Sequence, residues 1–192
     1  MSEIYQFLTG YFFWISLTVF LTGLIYQSAA FFQIERQQNN LFFKKFDTLI
    51  LLRPVIKWFL KPSSGNAFIS LILVLFRLSL IVVPVFLLSH NMLWMEFFNW
   101  QFPSFDNMIF DTMTIIVIIC SIVLFFYNFV KGYKKRAILL ILIFASFFTG
   151  LIARHQLVSE YEFMLLAHIM TSELLLIFSP FAMARVSIEK SV

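Results

Sequence analysis

The sequence is short of charge, glycine, proline and cysteine. Charged residues are 12% of its 192 residues, against about 25% in an ordinary soluble domain. Hydrophobic residues reach 61%, more apolar surface than a compact soluble fold of this length can bury. With only five glycines and five prolines, the chain also lacks the composition of a collagen-like or disordered protein. The composition therefore argues against a soluble enzyme and for an integral membrane protein.

A single cysteine, Cys120, excludes an internal disulfide and a Cys-X-X-Cys site. It lies in an apolar run, so we expect it to be a small core residue. The sequence has no Walker motif, no His-Glu-X-X-His motif and no nucleophile elbow. Nothing in it predicts bond-cleaving chemistry by this chain alone.

Five apolar runs are each long enough, or nearly so, to cross the hydrocarbon core as a helix of about 20 residues. We therefore predict an all-α bundle of five transmembrane helices that forms one membrane domain, 1–192, in contact with the lipid bilayer. The predicted spans are about 11–32, 67–89, 108–130, 137–153 and 163–184.

The basic residues predict the orientation of these spans. All Lys and Arg residues except Arg77 and Arg154 lie between spans one and two, between spans three and four, or after span five. The positive-inside rule then places the N-terminus outside and the C-terminus in the cytoplasm. The basic residues behind the pI of about 9.3 are explained by their place in the cytoplasmic segments of a membrane protein, so no nucleic-acid partner is expected.

The segment 39–61 predicts an additional basic helix at the cytoplasmic surface. Arg53, Lys57 and Lys61 recur every four residues and share one helical face, although Pro54 would kink the helix. Such a helix either lies on the inner leaflet or docks a cytoplasmic subunit, and the two interpretations are compatible.

His90 and His168 fall near the predicted outer face at similar depth. His168 lies about five residues inside span five, roughly 8 Å below the boundary. Two neutral imidazoles at equal depth on neighbouring helices can hold one haem iron axially. Alternatively, each is a hydrogen-bonded interfacial residue. Zinc is disfavoured because no acidic or thiolate residue accompanies them at ligand spacing.

The third histidine, His155, follows span four beside Arg154 and Gln156. A histidine at the membrane edge can hydrogen-bond a quinone carbonyl and transfer its proton, so these three residues are candidates for quinone binding. The alternative is an exposed loop histidine, whose positive charge Glu160 and Glu162 would stabilise.

Arg77 and Glu173 both fall near mid-membrane. A buried ion pair between them is one prediction. The functional alternative pairs Arg77 with a haem propionate and gives Glu173 a part in proton transfer to a quinone. Asp111, early in span three, is expected to be a favourable charge at a helix N-terminus rather than a catalytic group.

Two stretches resemble a known family, the gamma subunit of respiratory nitrate reductase. They are similar above all to the gamma-like subunits of the transmembrane redox complexes of sulfate-reducing bacteria. One stretch, residues 75–94, reads LFRLSLIVVPVFLLSHNMLW. The other, residues 147–185, reads FFTGLIARHQLVSEYEFMLLAHIMTSELLLIFSPFAMAR. Overall the resemblance covers about residues 68–186.

The resemblance implies a membrane cytochrome b that binds haem through histidines of spans two and five. His90 and His168 match the ligands of the haem nearer the outside. The family also has an inner pair of histidine ligands, and this sequence has a histidine at neither position. Arg77, Leu78, Ser79 and Leu80 occupy the stretch of span two where the first is expected, and Val186 occupies the position of the second. The resemblance therefore implies one haem b, with a second haem in doubt.

The resemblance further implies a menaquinone substrate, a cytoplasmic iron–sulfur subunit, other membrane subunits and possibly a periplasmic multihaem cytochrome c. The expected function is electron transfer between a quinone pool and partner redox subunits, in the cytoplasmic membrane of a bacterium or archaeon. The chain would be a subunit of an oxidoreductase complex rather than a stand-alone enzyme. A haem-free structural anchor or assembly subunit is the alternative, and a small transporter is a third interpretation.

Overall fold

The protein is all-helical throughout the part of the chain that its computed structural model describes, residues 2–38, 67–103, 106–159 and 161–188. The helices are α1 (Ser2–Phe7), α2 (Phe13–Gln38), α3 (Ala67–Phe86), α4 (Leu88–Phe98), α5 (Asn107–Val130), α6 (Lys134–His155) and α7 (Tyr161–Ile188). A π-helical turn, Leu8–Phe12, joins α1 to α2 without a break.

Five of these segments are long and apolar enough to cross a membrane, as the sequence predicted. They are Glu3–Gln27, Phe68–Phe86, Asn107–Val130, Lys134–His155 and Tyr161–Phe181. The first begins earlier than predicted because α1 and the π-helical turn extend it. The fourth is longer because its three leading basic residues already form the first turn of α6. The large apolar side chains exposed along these helices are available to contact lipid.

The predicted basic helix at 39–61, with Arg53, Lys57 and Lys61, lies outside the described residues.

The helices pack in the order α3, α5, α6, α7, α2, each mainly against the next. Phe110, Val117 and Leu124, spaced seven residues apart on α5, are almost fully buried in the core. Leu140, Ile143 and Phe147 face them from α6, with the three- and four-residue spacing of one helical face. Helices α5 and α6 therefore supply most of the buried core cluster.

Helix α3 ends in a bend that determines where the next helix begins. Pro84 lacks a backbone N–H, and three residues later Leu87 adopts an extended conformation with φ −61° and ψ 131°. Helix α4 then starts at Leu88 in a new direction. His90 consequently lies in the first turn of α4 rather than at the end of the spanning helix, where the sequence had placed it.

Helices α2 and α7 meet at the proline of α7. Gly23 lies against Pro180, and a Cβ added at Gly23 would come within 2.7 Å of the proline Cγ. The Gln27 side chain donates a hydrogen bond to the Pro180 carbonyl. Small residues let membrane helices approach closely, and polar side chains then join them.

Replacing Gly23 with Ala should destabilise the bundle by about 1–3 kcal/mol, because the rigid proline ring leaves no space for the new methyl group. Gly10→Ala is the matched control, since nothing lies within 4 Å of its Cβ position. Thermal unfolding in detergent would measure both. Equal stability of the two variants would contradict close packing at Gly23.

Candidate functional site

The imidazole rings of His90 and His168 lie side by side. Their centroids are 6.0 Å apart and their planes differ by only 6°. His90 comes from the first turn of α4, and His168 from the third turn of α7, two helices that are far apart in the chain. The bend at Leu87 and the packing of α7 on α6 therefore bring together the two histidines that the sequence singled out.

Helix α6 holds the His168 ring in place. The Nδ1 atom of His168 lies 2.8 Å from the backbone carbonyl oxygen of Ser146, which can only accept, so Nδ1 carries the proton. This tautomer leaves a lone pair on Nε2. Gly150 lies directly beside the ring, and a Cβ there would be 2.8 Å from His168 Cε1.

The Ser146 hydroxyl adds a second link between the same helices. It lies 2.6 Å from the Ser172 hydroxyl, one turn beyond His168 on α7. Both the carbonyl and the side chain of Ser146 therefore connect α6 to α7 at the histidine.

His90 lies just beyond the end of the span Phe68–Phe86, and its Nδ1 is buried without a hydrogen-bond partner among the described residues. Burial and the neighbouring His168 lower the pKa of His90 to about 4, against the opposing effect of the Pro84 and Val83 carbonyls. The imidazole is therefore neutral at pH 7.

Asn91, the residue after His90, holds the loop that follows α4 in place through hydrogen bonds. The Asn91 side chain is 3% exposed and pairs with both backbone groups of Phe102. Its Oδ1 accepts from the Phe102 N–H at 2.8 Å. The Phe102 ring contacts Phe86 and Trp94 edge-on. Aromatic side chains thus cover the histidine end of the bundle, the end that carries all three histidines.

A carboxylate joins the other two candidate residues at this end. Asp111 Oδ1 lies 3.1 Å from Arg154 Nε, and Asp111 Oδ2 lies 3.3 Å from His155 Nε2. The side chain of His155 is 43% exposed, and Gln156 is exposed and ends α6 with a left-handed conformation. Asp111, expected only as a helix-end charge, is in fact the common partner of Arg154 and His155. Glu162 is exposed, and Glu160 lies outside the described residues.

Arg77 and Glu173 are not hydrogen-bonded to each other. Neither carboxyl oxygen of Glu173 has a hydrogen-bond partner among the described residues, although the residue is only 3% exposed. Helix α3, which carries Arg77, packs mainly against α5, whereas α7, which carries Glu173, packs against α6 and α2. The ion pair between Arg77 and Glu173 stays a prediction.

The spacing of the histidine pair would suit two ligands of one haem iron. Two imidazoles that bind one metal from opposite sides, through bonds of about 2 Å, have ring centres roughly 6 Å apart. The bond from His168 Nδ1 to a backbone carbonyl is the usual outer support of a metal-binding histidine. Within the described ranges, no three His, Cys, Asp or Glu residues form a metal-binding group, so the donor set there is the pair alone.

Sequence reasoning missed three residues that support the site, Asn91, Ser146 and Gly150, and it expected Asp111 only as a helix-end charge. Gly150 offered the clearest signal, a glycine inside an apolar helix, which indicates close packing. The other three act through contacts with distant parts of the chain, which no local pattern predicts.

A curated protein of Nitratidesulfovibrio vulgaris, strain Hildenborough, is similar to this chain. The two are 29% identical over 192 residues, an alignment that covers 92% of this chain and 84% of the relative. The relative is named only "Protein", so its name states no activity. No family model matches the chain. No solved structure matches it.

Gly150→Ala should lower the free energy of unfolding by about 1–3 kcal/mol, because the new methyl group overlaps the His168 ring. In a His168→Ala background the same change should have little effect, since the ring is gone. Unfolding of the wild type, the two single variants and the double variant in detergent would give the coupling free energy between Gly150 and His168. Equal effects in both backgrounds would show that His168 is not what crowds Gly150.

Proposed function

We propose that the protein is the membrane-embedded cytochrome b subunit of a respiratory redox complex. It would exchange electrons between a quinone pool and partner redox subunits through one haem b near the outer face. The observation that carries the proposal is the parallel pair of His90 and His168, 6.0 Å between ring centroids.

His90 and His168 would hold the haem iron, which would supply one-electron oxidation and reduction when bound. The chain contributes the rest of the site. The Ser146 carbonyl fixes the tautomer of His168, and Gly150 leaves room for its ring. The hydrogen bonds between Asn91 and the Phe102 backbone hold the loop that follows α4, beside His90 in the sequence.

The quinone would bind where Arg154, His155 and Gln156 reach the membrane edge. His155 can take or give the proton of a quinone oxygen, and Arg154 can attract that oxygen electrostatically. The exposed apolar side chains of Leu157 and Phe163 border this edge, which suits a ring with an isoprenoid tail such as menaquinone.

Support for a sulfate-reducer redox complex comes from two sources. The motifs at 75–94 and 147–185 resemble gamma-like subunits of such complexes. The relative from Nitratidesulfovibrio vulgaris, itself a sulfate reducer, aligns with most of the chain. A cytoplasmic iron–sulfur subunit, docked on Arg53, Lys57 and Lys61, and a periplasmic multihaem cytochrome c are the proposed partners.

A second candidate function is a haem-free membrane anchor for such a complex. One observation favours it: ring centroids 6.0 Å apart in parallel planes also fit two aromatic rings that simply stack. The two candidates differ in whether the chain carries haem.

The purified complex should show a b-type spectrum when a dithionite-reduced sample is compared with an oxidised one, with about one haem per chain by pyridine haemochrome. His90→Ala and His168→Ala should abolish the signal, because each removes an iron ligand. His155→Ala is the matched control and should keep it, since His155 lies at the membrane edge against Asp111. A wild-type complex without b haem would favour the anchor.

The proposed orientation places Gly132 and its neighbours in the cytoplasm and Leu157 outside. In a Cys120→Ser background, a membrane-impermeant thiol reagent should label Leu157→Cys in intact cells. It should label Lys135→Cys only after the cells are opened. Leu157 and Lys135 are both exposed, so burial of the side chain would not prevent labelling at either position. The reverse labelling pattern would show that the bundle has the opposite orientation and that the proposed haem lies near the inner side.

A further inference from the structure

The cluster of Asp111, Arg154 and His155 has a specific geometry. One oxygen of the Asp111 carboxylate faces the Arg154 guanidinium at 3.1 Å, and the other faces His155 Nε2 at 3.3 Å. Asp111 lies near the start of α5, and its partners lie in the last turn of α6. Positive charge in the last turn of α6 interacts favourably with the dipole of that helix.

The contact with Asp111 makes the two nitrogens of His155 different. Nε2 faces a carboxylate and therefore carries a proton in the neutral ring, which leaves the lone pair on Nδ1. The His155 side chain is 43% exposed, whereas that of Asp111 is 24% exposed. An incoming molecule therefore reaches the imidazole before it reaches the carboxylate.

We infer that Asp111 is a positioning residue that holds His155 so that Nδ1 accepts a proton from the hydroxyl of a bound quinol. This inference rests on the proposed quinone-linked function. Arg154 Nε lies 3.1 Å from the other carboxylate oxygen and pairs with it by charge, although the geometry is not that of a hydrogen bond. The resulting imidazolium is stabilised by Asp111, as an acid stabilises the protonated histidine in many general-base dyads.

The reaction balances as the oxidation of one quinol to one quinone. Two O–H bonds break, and the two protons pass in turn to His155 Nδ1 and then to water. The two electrons would leave one at a time to a one-electron acceptor, which the haem of the proposed function would supply when bound and which partner subunits would reoxidise. Asp111 keeps its charge throughout and forms no bond to the substrate.

The test uses the complete complex with the water-soluble quinol menadiol. Rapid mixing would follow reduction of the b haem by its absorption, per haem loaded. Asp111→Asn should slow the maximal rate about a hundredfold, the lower end of what a positioned general base contributes. The menadiol concentration for half-maximal rate should stay unchanged, because Asp111 does not touch the quinol. Asp111→Glu should recover most of the rate.

Two controls separate positioning from a merely structural role. Asp106→Asn removes a neighbouring acid that only caps α5 through Met108 N, and it should leave the rate unchanged. In a His155→Gln background, Asp111→Asn should cause no further loss, because Asp111 acts through His155.

An equal loss in both backgrounds, or no loss at all, would overturn the inference. An Asp111→Asn chain without haem would also overturn it, since a residue that positions only His155 leaves haem binding intact. These results differ from failure of the proposed function, which would appear as a wild-type complex that carries no b haem.

Discussion

Within the apolar part of a bilayer, a polar group has no water to bond and must find its partner inside the protein. The bond from His168 Nδ1 to the Ser146 carbonyl follows from this constraint, and the candidate site depends on it. Ser146 and Gly150 lie one turn apart on α6, so one helix both bonds the imidazole and makes room for it. The same contact joins α6 to α7, so the packing of these two helices also sets the orientation of the His168 ring.

The other half of the pair depends on a broken helix. An uninterrupted α3 would have carried His90 along its own axis, whereas the bend after Pro84 starts a new helix that turns the histidine toward α7. The loop that follows is fastened by Asn91, which pairs with the backbone of Phe102 much as a neighbouring strand would. This pairing satisfies peptide groups that no helix satisfies and covers the histidine end with aromatic rings.

Two acidic side chains, one at the edge of the bundle and one inside it, have different surroundings. At the edge, Asp111 has two partners on the adjoining helix and remains close to water. Inside, Glu173 is buried with neither oxygen hydrogen-bonded among the described residues. The polar chemistry of the described bundle is thus concentrated at the end that carries the three histidines.

Composition and run length alone determined the fold class, because only continuous helices satisfy the backbone of a chain this apolar. Position along the spans also marked the histidines, since a polar ring in or near an apolar run stands out in sequence. Which side chains meet was decided by tertiary structure. Arg77 and Glu173 share a depth but lie on helices that pack against different neighbours, whereas Asp111 meets His155 because α5 and α6 are antiparallel and adjacent. Depth follows from counting residues along one helix, but contact depends on the rotation and order of the helices, which the packing of the whole bundle sets.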